Sequence, residues 1–304
     1  MKDVIEIKFE ELEPKINCLD HGFVQLLDCM PRLIRDNEDS ADYAISEAAR
    51  TSYERELKTV TDDKTLIRYL MRHNHTSPLE MIEFKFKMKV PMYICTQIIR
   101  HRTASLNILS GRYSVMPEEF YIPAIDDIRM QSKTNTQGSE NNLDEHMSDC
   151  VISDIKELCK KSFTVYKDFL EAGVAREIAR GVLPYNLYTV MYWKIDLKNL
   201  LHFINLRSDH HAQKEVQVFS NAILSLIKPI VPWTIDAWED YSVYRGGMVL
   251  TRYEVEAIKN IIDNVPNLYD VPLGEEVDTF KDIEVDSTLE QREWVKKAER
   301  LGWV

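Results

Sequence analysis

The segment from Glu83 to Val90 carries the clearest period-two pattern in the chain. Its apolar members alternate with one glutamate and three lysines, and they are Phe84, Phe86, Met88 and Val90. This alternation predicts a strand with one buried face and one exposed face. Pro91 then favours the start of a helix, and Met92 to Ile99 is apolar enough to be a buried one. The pattern therefore predicts a half-exposed sheet with a helix beside it.

Other segments predict a mixture of strands and helices. Residues 1–35 are strand-like around Ile5, Phe9 and Phe23 to Leu27, and Leu187 to Ile195 is a further strand candidate. Predicted helices cover Asp42 to Tyr53, Thr61 to Met71, Asp149 to Glu171, Ala175 to Val182, Leu197 to Leu206 with Asp196 as cap, and Ala212 to Ile227. The polar run after Arg102 predicts a loop, and residues 126–148 predict a mobile surface insertion.

The 304 residues are enough for one large domain or one domain with an extension. We expect a domain over residues 1–235, because the chain beyond it is charged and has weaker apolar patterning. Residues 236–304 are expected to form a mostly helical extension of unknown role. Val255 to Ile262 and Leu289 to Leu301 are its candidate helices.

The formal net charge of −12 argues against a general nucleic-acid binder, which would carry a broad basic surface. The net charge is compatible with a small phosphorylated substrate, because such a substrate needs only a local cluster of arginines. No apolar run approaches the roughly 20 residues that span a bilayer, and acids occupy the first residues. We therefore expect a cytoplasmic protein. The five cysteines form no C-x-x-C pair and suit reduced, mostly buried thiols.

The segment from Arg100 to Ser114 combines cations, a histidine, hydroxyls and a glycine between apolar flanks. Guanidiniums in such a set suit a phosphate-bearing ligand. The alternative is a solvated cationic face paired with some of the many acids. The residue chemistry favours a nucleotide site without excluding that alternative.

Three further segments carry candidate polar sites. Arg176 and Arg180 have the i,i+4 spacing of one helical face, although an ion-pair ladder with Glu177 explains them equally well. Arg207 ends an apolar helix. His210 and His211 are adjacent and would point to different helical faces, so no metal site is expected. The segment from His75 to Glu80 is typical of a turn, and no nucleophile triad, Walker loop or G-x-G-x-x-G occurs.

Together these segments resemble the flavin-dependent thymidylate synthases. The family hallmark is Arg-His-Arg, seven residues, then Ser, and Arg100 to Arg102 with Ser110 fit it. The similarity covers roughly residues 20–235. Its other segments are Gly111 to Ser114, Phe120 to Pro123, His75 to Glu80, Arg176 to Arg180, and Asn205 to Arg207.

The resemblance implies an α+β fold with an antiparallel sheet flanked by helices, in a homotetramer with active sites shared between subunits. It implies methylation of dUMP to dTMP, with 5,10-methylenetetrahydrofolate as carbon donor, FAD as hydride carrier and NADPH as reductant. No enzymic cysteine would activate the uracil ring, which suits the absence of a cysteine motif. No nucleic acid or membrane is an expected partner.

The resemblance also assigns residues to the site. Arg207 would be the catalytic residue, placed against the uracil to stabilise its anionic form. The residues implied for dUMP are Gln97, Arg100, Ile108, Leu109, Ser110, Gly111, Arg112, Arg180 and Arg207, with Arg112 and Arg180 suited to the phosphate. The residues implied for FAD are Ser77, Glu80, Arg100, His101, Arg102, Ile108, Asp196, Lys198, His202 and His211.

Four positions depart from the family pattern. Ile108 stands where the family has a glutamate between nucleotide and flavin. Asp196, Lys198 and His202 stand where Asn, Arg and Asn are familiar. An aspartate near a flavin phosphate is unfavourable, so we expect Asp196 to contact the ring or ribose or to cap its helix. Ser110 lacks an adjacent base and is assigned to substrate binding.

Two alternatives to the enzyme stay open from the sequence. One is a relative that binds flavin or nucleotide but has reduced or lost turnover through Ile108. The other is a structural or RNA-contacting protein that uses the basic segment, against which the acidic net charge counts.

Overall fold

The structure is a computed structural model that describes residues 4–6, 14–35, 40–51, 60–133 and 138–241. The chain divides into two units, Met1–Asp240 and Tyr241–Val304, of which the first is described here. Phe9, the end of the first predicted helix at Tyr53 and both predicted tail helices lie outside the described residues. The boundary at residue 235 stays a prediction.

A five-stranded antiparallel sheet forms the centre of the described part of the chain. Its strands, in spatial order, are β2 (Lys15–Cys18), β3 (Gly22–Met30), β5 (Glu83–Pro91), β9 (Tyr188–Asp196) and β6 (Ala104–Ile108). Two small two-stranded sheets pair β1 (Val4–Glu6) with β4 (Leu33–Arg35), and β7 (Arg129–Gln131) with β8 (Ser139–Asn142). The predicted α+β class with an antiparallel sheet is confirmed.

The predicted alternation along β5 is present in the sheet. Phe86 lies opposite Trp193 of β9, and Phe84 lies opposite Ile195, with all four side chains buried. On the other face Lys85 lies opposite Lys194. One face of the sheet is therefore the core and the other carries charge.

Eight helices are present among the described residues. They are α1 (Tyr43–Thr51), α2 (Val60–Arg72), α3 (Met92–Ile98), α4 (Glu145–Glu171), α5 (Arg176–Ala179), α6 (Leu197–Arg207), α7 (Lys214–Ile227) and α8 (Pro232–Tyr241). Helices α3, α6 and α7 contact the sheet, and Phe203 of α6 meets Trp193 edge-on at a 5.0 Å centroid distance. None of the helices in the described part combines the length and apolar character needed to cross a bilayer.

A second apolar cluster joins α4 to α5, to the loop after β6 and to the residue before β9. Its buried members are Met116, Phe163, Tyr166, Ala179 and Leu187. Its polar tie is the Tyr166 hydroxyl, which accepts a hydrogen bond from the Met116 backbone N–H at 3.1 Å. This cluster fixes the loop that follows β6 against α5.

The prediction of a loop after Arg102 is wrong for residues 104–108. These residues form β6, which pairs antiparallel with β9, so that Ser105 lies opposite Lys194 and Asn107 opposite Tyr192. β6 is last in the spatial order of the five strands. Such an edge strand tolerates exposed polar side chains, since only one side of it must be paired. The loop begins only at Leu109.

The segment at residues 126–148, predicted to be a mobile surface insertion, contains regular elements in the part described, and its mobility stays a prediction. β7 and β8 pair there, and α4 starts at Glu145, four residues earlier than predicted. Asp144 caps α4 by accepting from the Met147 N–H. Arg129 forms a 2.9 Å ion pair with Glu215 of α7, which ties the segment to the core. Residues 134–137 lie outside the described part.

Helix α8 was not predicted, because Pro232 was assigned only to the end of α7. Proline is tolerated in the first helical turn, where its missing N–H has no intrahelical partner. The buried carboxylate of Asp42 accepts the Trp233 and Thr234 N–H groups, at 2.9 and 3.1 Å. A residue 191 positions before Trp233 thus caps this helix, and no local pattern shows it.

Candidate functional site

Arg207, His101 and Gln97 meet where two helices end. Helix α3 ends at Ile98, so His101 follows it closely, and Arg207 is the last residue of α6. The Nε of Arg207 donates to Nε2 of His101 at 3.2 Å, and its Nη2 donates to the Gln97 carbonyl at 3.4 Å. The structure therefore brings together three of the predicted site residues.

The electrostatics of this cluster favour a neutral histidine beside a cation. Burial, with smaller contributions from Arg207 and His202, lowers the pKa of His101 to about 4. Burial and the neighbouring Arg100 lower the pKa of Arg207, but a guanidinium is so basic that it stays charged at neutral pH. Arg100 is exposed beside it. The cluster therefore presents two cations without a third on the imidazole.

Gln213 is a contact in this cluster that was not assigned from the sequence. It precedes α7, and its side-chain oxygen accepts from Nε2 of Gln97 at 2.6 Å. Its position at a helix start was the only sequence signal, and that signal says nothing of a partner 116 residues away. Gln213 therefore holds the side chain of a residue expected to bind dUMP.

A second cluster brings the loop after β6 to α5. Gly111 is buried, and a Cβ placed on it would lie 3.2 Å from Cδ of Arg180 and from Sδ of Met116. The Ser110 hydroxyl accepts from the Arg112 backbone N–H at 3.3 Å. Arg112 and Arg180 are both exposed. Two predicted phosphate-binding arginines therefore border the same glycine loop.

The ion-pair ladder considered for α5 takes a different form. Glu177 pairs with Arg112 at 3.2 Å, across the two segments, with both side chains more than half exposed. Arg176 donates instead to the Tyr113 carbonyl at 3.1 Å. Among the described residues no acid forms an ion pair with Arg180. α5 is therefore linked to the loop, and the arginine that follows it is left facing solvent.

A third set surrounds the start of α6. Glu80, in the 3₁₀ turn Ser77–Met81, forms a 2.9 Å ion pair with Lys198, which raises the pKa of that lysine. Asp196 caps α6, because its carboxylate accepts from both the backbone and side-chain nitrogens of Asn199. The capping role expected for Asp196 is present, and its contact with a cofactor stays a prediction.

His210 and His211 were expected to point to different faces of a helix, but neither lies in a helix. They precede α7, and their rings lie 3.7 Å apart between centroids. Asp209 accepts from the His211 backbone N–H at 2.8 Å. One ligand atom from each of Asp209, His210 and His211 lies within 4.8 Å of the others. This turn is exposed, and local hydrogen bonds explain its arrangement.

Strand β6 separates the first cluster from the second. His101 lies before β6, while Ser110 and Gly111 follow it. Five extended residues span about 17 Å. Ile108 is half-buried at the far end of β6, and the Leu109 N–H that follows donates to the Val190 carbonyl at 2.9 Å. The α3 side of the first cluster therefore lies before β6 in the chain and the glycine loop of the second lies after it.

The cysteines are placed as buried apolar residues, with one exception. Cys18, Cys29, Cys95 and Cys159 are buried, whereas Cys150 is exposed. Burial raises the pKa of Cys29 and Cys95 to about 11, which makes them poor nucleophiles at neutral pH. The structure therefore provides no activated thiol among the four buried cysteines.

Comparison with known proteins gives one consistent result. Residues 32–233 match the family described as thymidylate synthase complementing protein. A flavin-dependent thymidylate synthase of Dictyostelium discoideum is 48% identical over 79% of this chain and 78% of its own length. One from Wolbachia pipientis is 41% identical over 86% and 87%. The crystal structure of the UMP/dUMP methylase PolB from Streptomyces cacaoi, bound with 5-Br dUMP, superposes with a TM-score of 0.65. It is 27% identical and covers 77% of this chain and 100% of that one.

Proposed function

The chain belongs to the family of flavin-dependent thymidylate synthases, and from this premise we propose how its residues share the reaction. It is a flavin-dependent methyltransferase that converts dUMP to dTMP, with FAD as its redox cofactor. The observation that carries the assignment of roles is the contact between Arg207 and His101 beside Gln97. It places the predicted catalytic cation against two residues of the family motif region.

The proposal also covers the carbon donor and the reductant. The carbon donor is 5,10-methylenetetrahydrofolate, and NADPH is the reductant that returns the flavin to its reduced form. The reaction belongs to de novo dTMP synthesis in the cytoplasm. These assignments rest on family membership, and the acidic chain with its local arginine clusters is compatible with small anionic partners.

The residues expected to hold FAD fit a dinucleotide in their chemistry. Arg100 and Arg102 are exposed guanidiniums, and Ser77 adds an exposed hydroxyl. Such donors suit a diphosphate. FAD, when bound, supplies the hydride that completes the methyl group. His101, His202, Lys198, Glu80, Asp196, His211 and Ile108 complete the proposed set, in which Asp196 contributes mainly by capping α6.

The loop after β6 is proposed to bind the nucleotide phosphate. Arg112 and Arg180 supply the charge, each charge-assisted hydrogen bond contributing about 1.5–3 kcal/mol. Ser110 and Gly111 shape the loop, and the close approach of Gly111 to Arg180 sets where that arginine can lie. Glu177 competes for Arg112 before the phosphate arrives, since the two form an exposed ion pair. Leu109 contributes through its backbone position beside β9.

Arg207 is proposed to polarise the uracil ring. A guanidinium fixed against the base stabilises negative charge as it develops on the ring oxygens, without reorganising at the moment of reaction. Two of its N–H groups are engaged by His101 and Gln97. Gln97 is itself held by Gln213. Arg100 adds a second positive charge nearby.

We also propose that the site is shared between subunits, as in the homotetramer that the family resemblance implies. Within the chain, His101, the partner of Arg207, precedes β6, whereas Arg112 and Arg180 lie beyond the end of that strand. In a homotetramer, the phosphate loop of one subunit would lie beside the Arg207 cluster of another.

Ile108 supports one alternative function. It can offer neither charge nor a hydrogen bond where the family has a glutamate, and it is half-buried at the end of β6. The alternative is a protein that binds flavin or nucleotide with reduced or lost turnover.

Release of tritium from 5-tritiated dUMP separates these functions. The flavin absorbance of the purified protein is recorded first, and the assay is then run with and without folate and NADPH. Release that depends on both supports the synthase. A flavin-loaded protein that binds dUMP without releasing tritium would support the alternative. A colourless protein that takes up neither FAD nor dUMP would contradict both.

A further inference from the structure

His101 is enclosed by side chains of α6 on the side that faces the core. Its ring meets Phe203 edge-on at 4.9 Å and lies 6.1 Å from the ring of His202. The third neighbour from α6 is Arg207, whose Nε lies 3.2 Å from Nε2 of His101. The imidazole is therefore held on two sides and has one polar partner at Nε2.

The chemistry of that contact fixes the proton on the ring. Arg207 Nε can only donate, because a guanidinium has no acceptor. Nε2 of His101 must therefore carry a lone pair, which leaves the proton on Nδ1 in a neutral ring. A protonated ring would place two donors against each other at this distance.

The positive charges around the His101 ring also favour its neutral form. Arg207 and His202 face it from α6, and Arg100 precedes it in the chain. Among the described residues no carboxylate forms an ion pair with His101. Burial, with smaller contributions from Arg207 and His202, lowers its pKa to about 4, well below neutral pH.

We propose that His101 is a positioning residue, a permanently neutral acceptor that fixes the direction of the Arg207 guanidinium toward the nucleotide. This role rests on the proposed function and adds to the flavin contact implied for the Arg-His-Arg motif. The backbone carbonyl of Gln97 also orients the guanidinium, because it accepts a hydrogen bond from Nη2 of Arg207. With Nε and one N–H of Nη2 engaged, Nη1 and the second N–H of Nη2 remain for the substrate in this proposal.

Two substitutions at residue 101 distinguish positioning from simple packing. In His101→Gln the amide oxygen can lie near the position of Nε2 and accept from Arg207. In His101→Asn the shorter side chain places its oxygen near Nδ1, out of reach. His146→Gln is the matched control, since His146 is exposed on α4. All are made in the full-length, FAD-loaded protein, with flavin absorbance measured for each.

We expect kcat of His101→Gln within about threefold of wild type and that of His101→Asn about ten- to a hundredfold lower, the effect of one hydrogen bond to a charged group. In nitrogen-15 NMR of the wild-type protein, His101 should show a neutral ring protonated at Nδ1 at neutral pH. Equal losses in both variants, or an imidazolium signal at neutral pH, would overturn the proposal. Wild-type protein without tritium release would instead contradict the proposed function, while the NMR result would still report on His101.

Discussion

Gly111 lies so close to Arg180 that a Cβ on the glycine would be 3.2 Å from Cδ of the arginine. Sδ of Met116 would lie at the same distance, so the glycine fills a space bounded by two flexible side chains. The backbone of Gly111 is not the constraint, since its φ lies outside the left-handed region. Gly111 therefore matters because its missing side chain leaves the space that the Arg180 side chain occupies.

We predict that Gly111→Ala weakens dUMP binding by displacing Arg180. Because flexible side chains can give way, the fold should persist, and the dissociation constant should rise about three- to tenfold, a fraction of one charge-assisted hydrogen bond. Calorimetric titration of the holoenzyme with dUMP measures it. Gly181→Ala is the control, because a Cβ there would meet nothing within 4 Å. Equal affinities in the two variants would show that Arg180 does not depend on the space at Gly111.

Arg207→Ala should abolish turnover while leaving the flavin colour largely intact, because the proposed role of Arg207 is electrostatic at the base. A preorganised donor of this kind is worth about a hundred- to a thousandfold in kcat. The readouts are tritium release and flavin absorbance on the same preparation. Arg32→Ala provides the control, since Arg32 is an exposed residue paired with Asp28. Turnover that survived the loss of Arg207 would reduce it to a structural residue.

Ile108→Glu should preserve folding and maintain or raise turnover, since it restores the acid familiar in the family. The half-buried position at the end of β6 leaves room for a carboxylate to reach solvent. The assay compares kcat and the melting temperature of the variant with those of wild type. Ile108→Gln, with similar shape and no charge, separates the effect of charge from that of polarity. A large loss of kcat in a folded Ile108→Glu protein would mean that the local geometry has been rebuilt around isoleucine.

Local sequence patterns were sufficient to predict elements in which apolar and polar side chains alternate or a side chain caps a helix. The alternation from Phe84 onwards predicted β5, and Asp196 was expected among other roles to cap α6, as it does. Strand β6 was missed because its five residues lie within a longer polar segment and its pairing is with β9, which follows only after the whole of α4 and α5. An apolar and polar alternation of only five residues is weak evidence for a strand when its partner is unknown.

For the candidate site too, the sequence showed some features and not others. The motif residues were found, but their contacts were not, because the partner of His101 lies 106 residues away and that of Gln97 lies 116 away. The cap of α8 by Asp42 is a further long-range contact. The sequence therefore predicts which residues carry the chemistry, and tertiary packing determines which of these predicted residues meet.

Arg129→Ala should destabilise the protein by about 3 kcal/mol, because it leaves the carboxylate of Glu215 buried without its cation. Both side chains of this pair are largely buried, at 19% and 8% exposed. Urea unfolding measures the change in the free energy of unfolding. Lys167→Ala removes an exposed pair with Glu118 and should cost less than about 1 kcal/mol. Equal small effects would indicate that the segment from residue 126 onwards contributes little to the fold.

Acidification should destabilise the wild-type protein partly through His101. Its pKa is lowered from 6.5 to about 4 in the folded state, mainly by burial. Between these values the unfolded chain binds a proton that the folded one does not, so this contribution is fully present above 6.5 and is lost as pH falls toward about 4.

The variant His101→Gln lacks this titration and isolates it. The difference in free energy of unfolding between wild type and variant should shift by about 1–2 kcal/mol against wild type as pH falls through that window. This value is reduced from the full linkage effect because His101 is only half-buried. Urea unfolding of both proteins at about pH 7 and about pH 4.5 provides the measurement. A difference that stays constant with pH would mean that His101 titrates alike in the folded and unfolded states, and that burial against Phe203 does not hold it neutral.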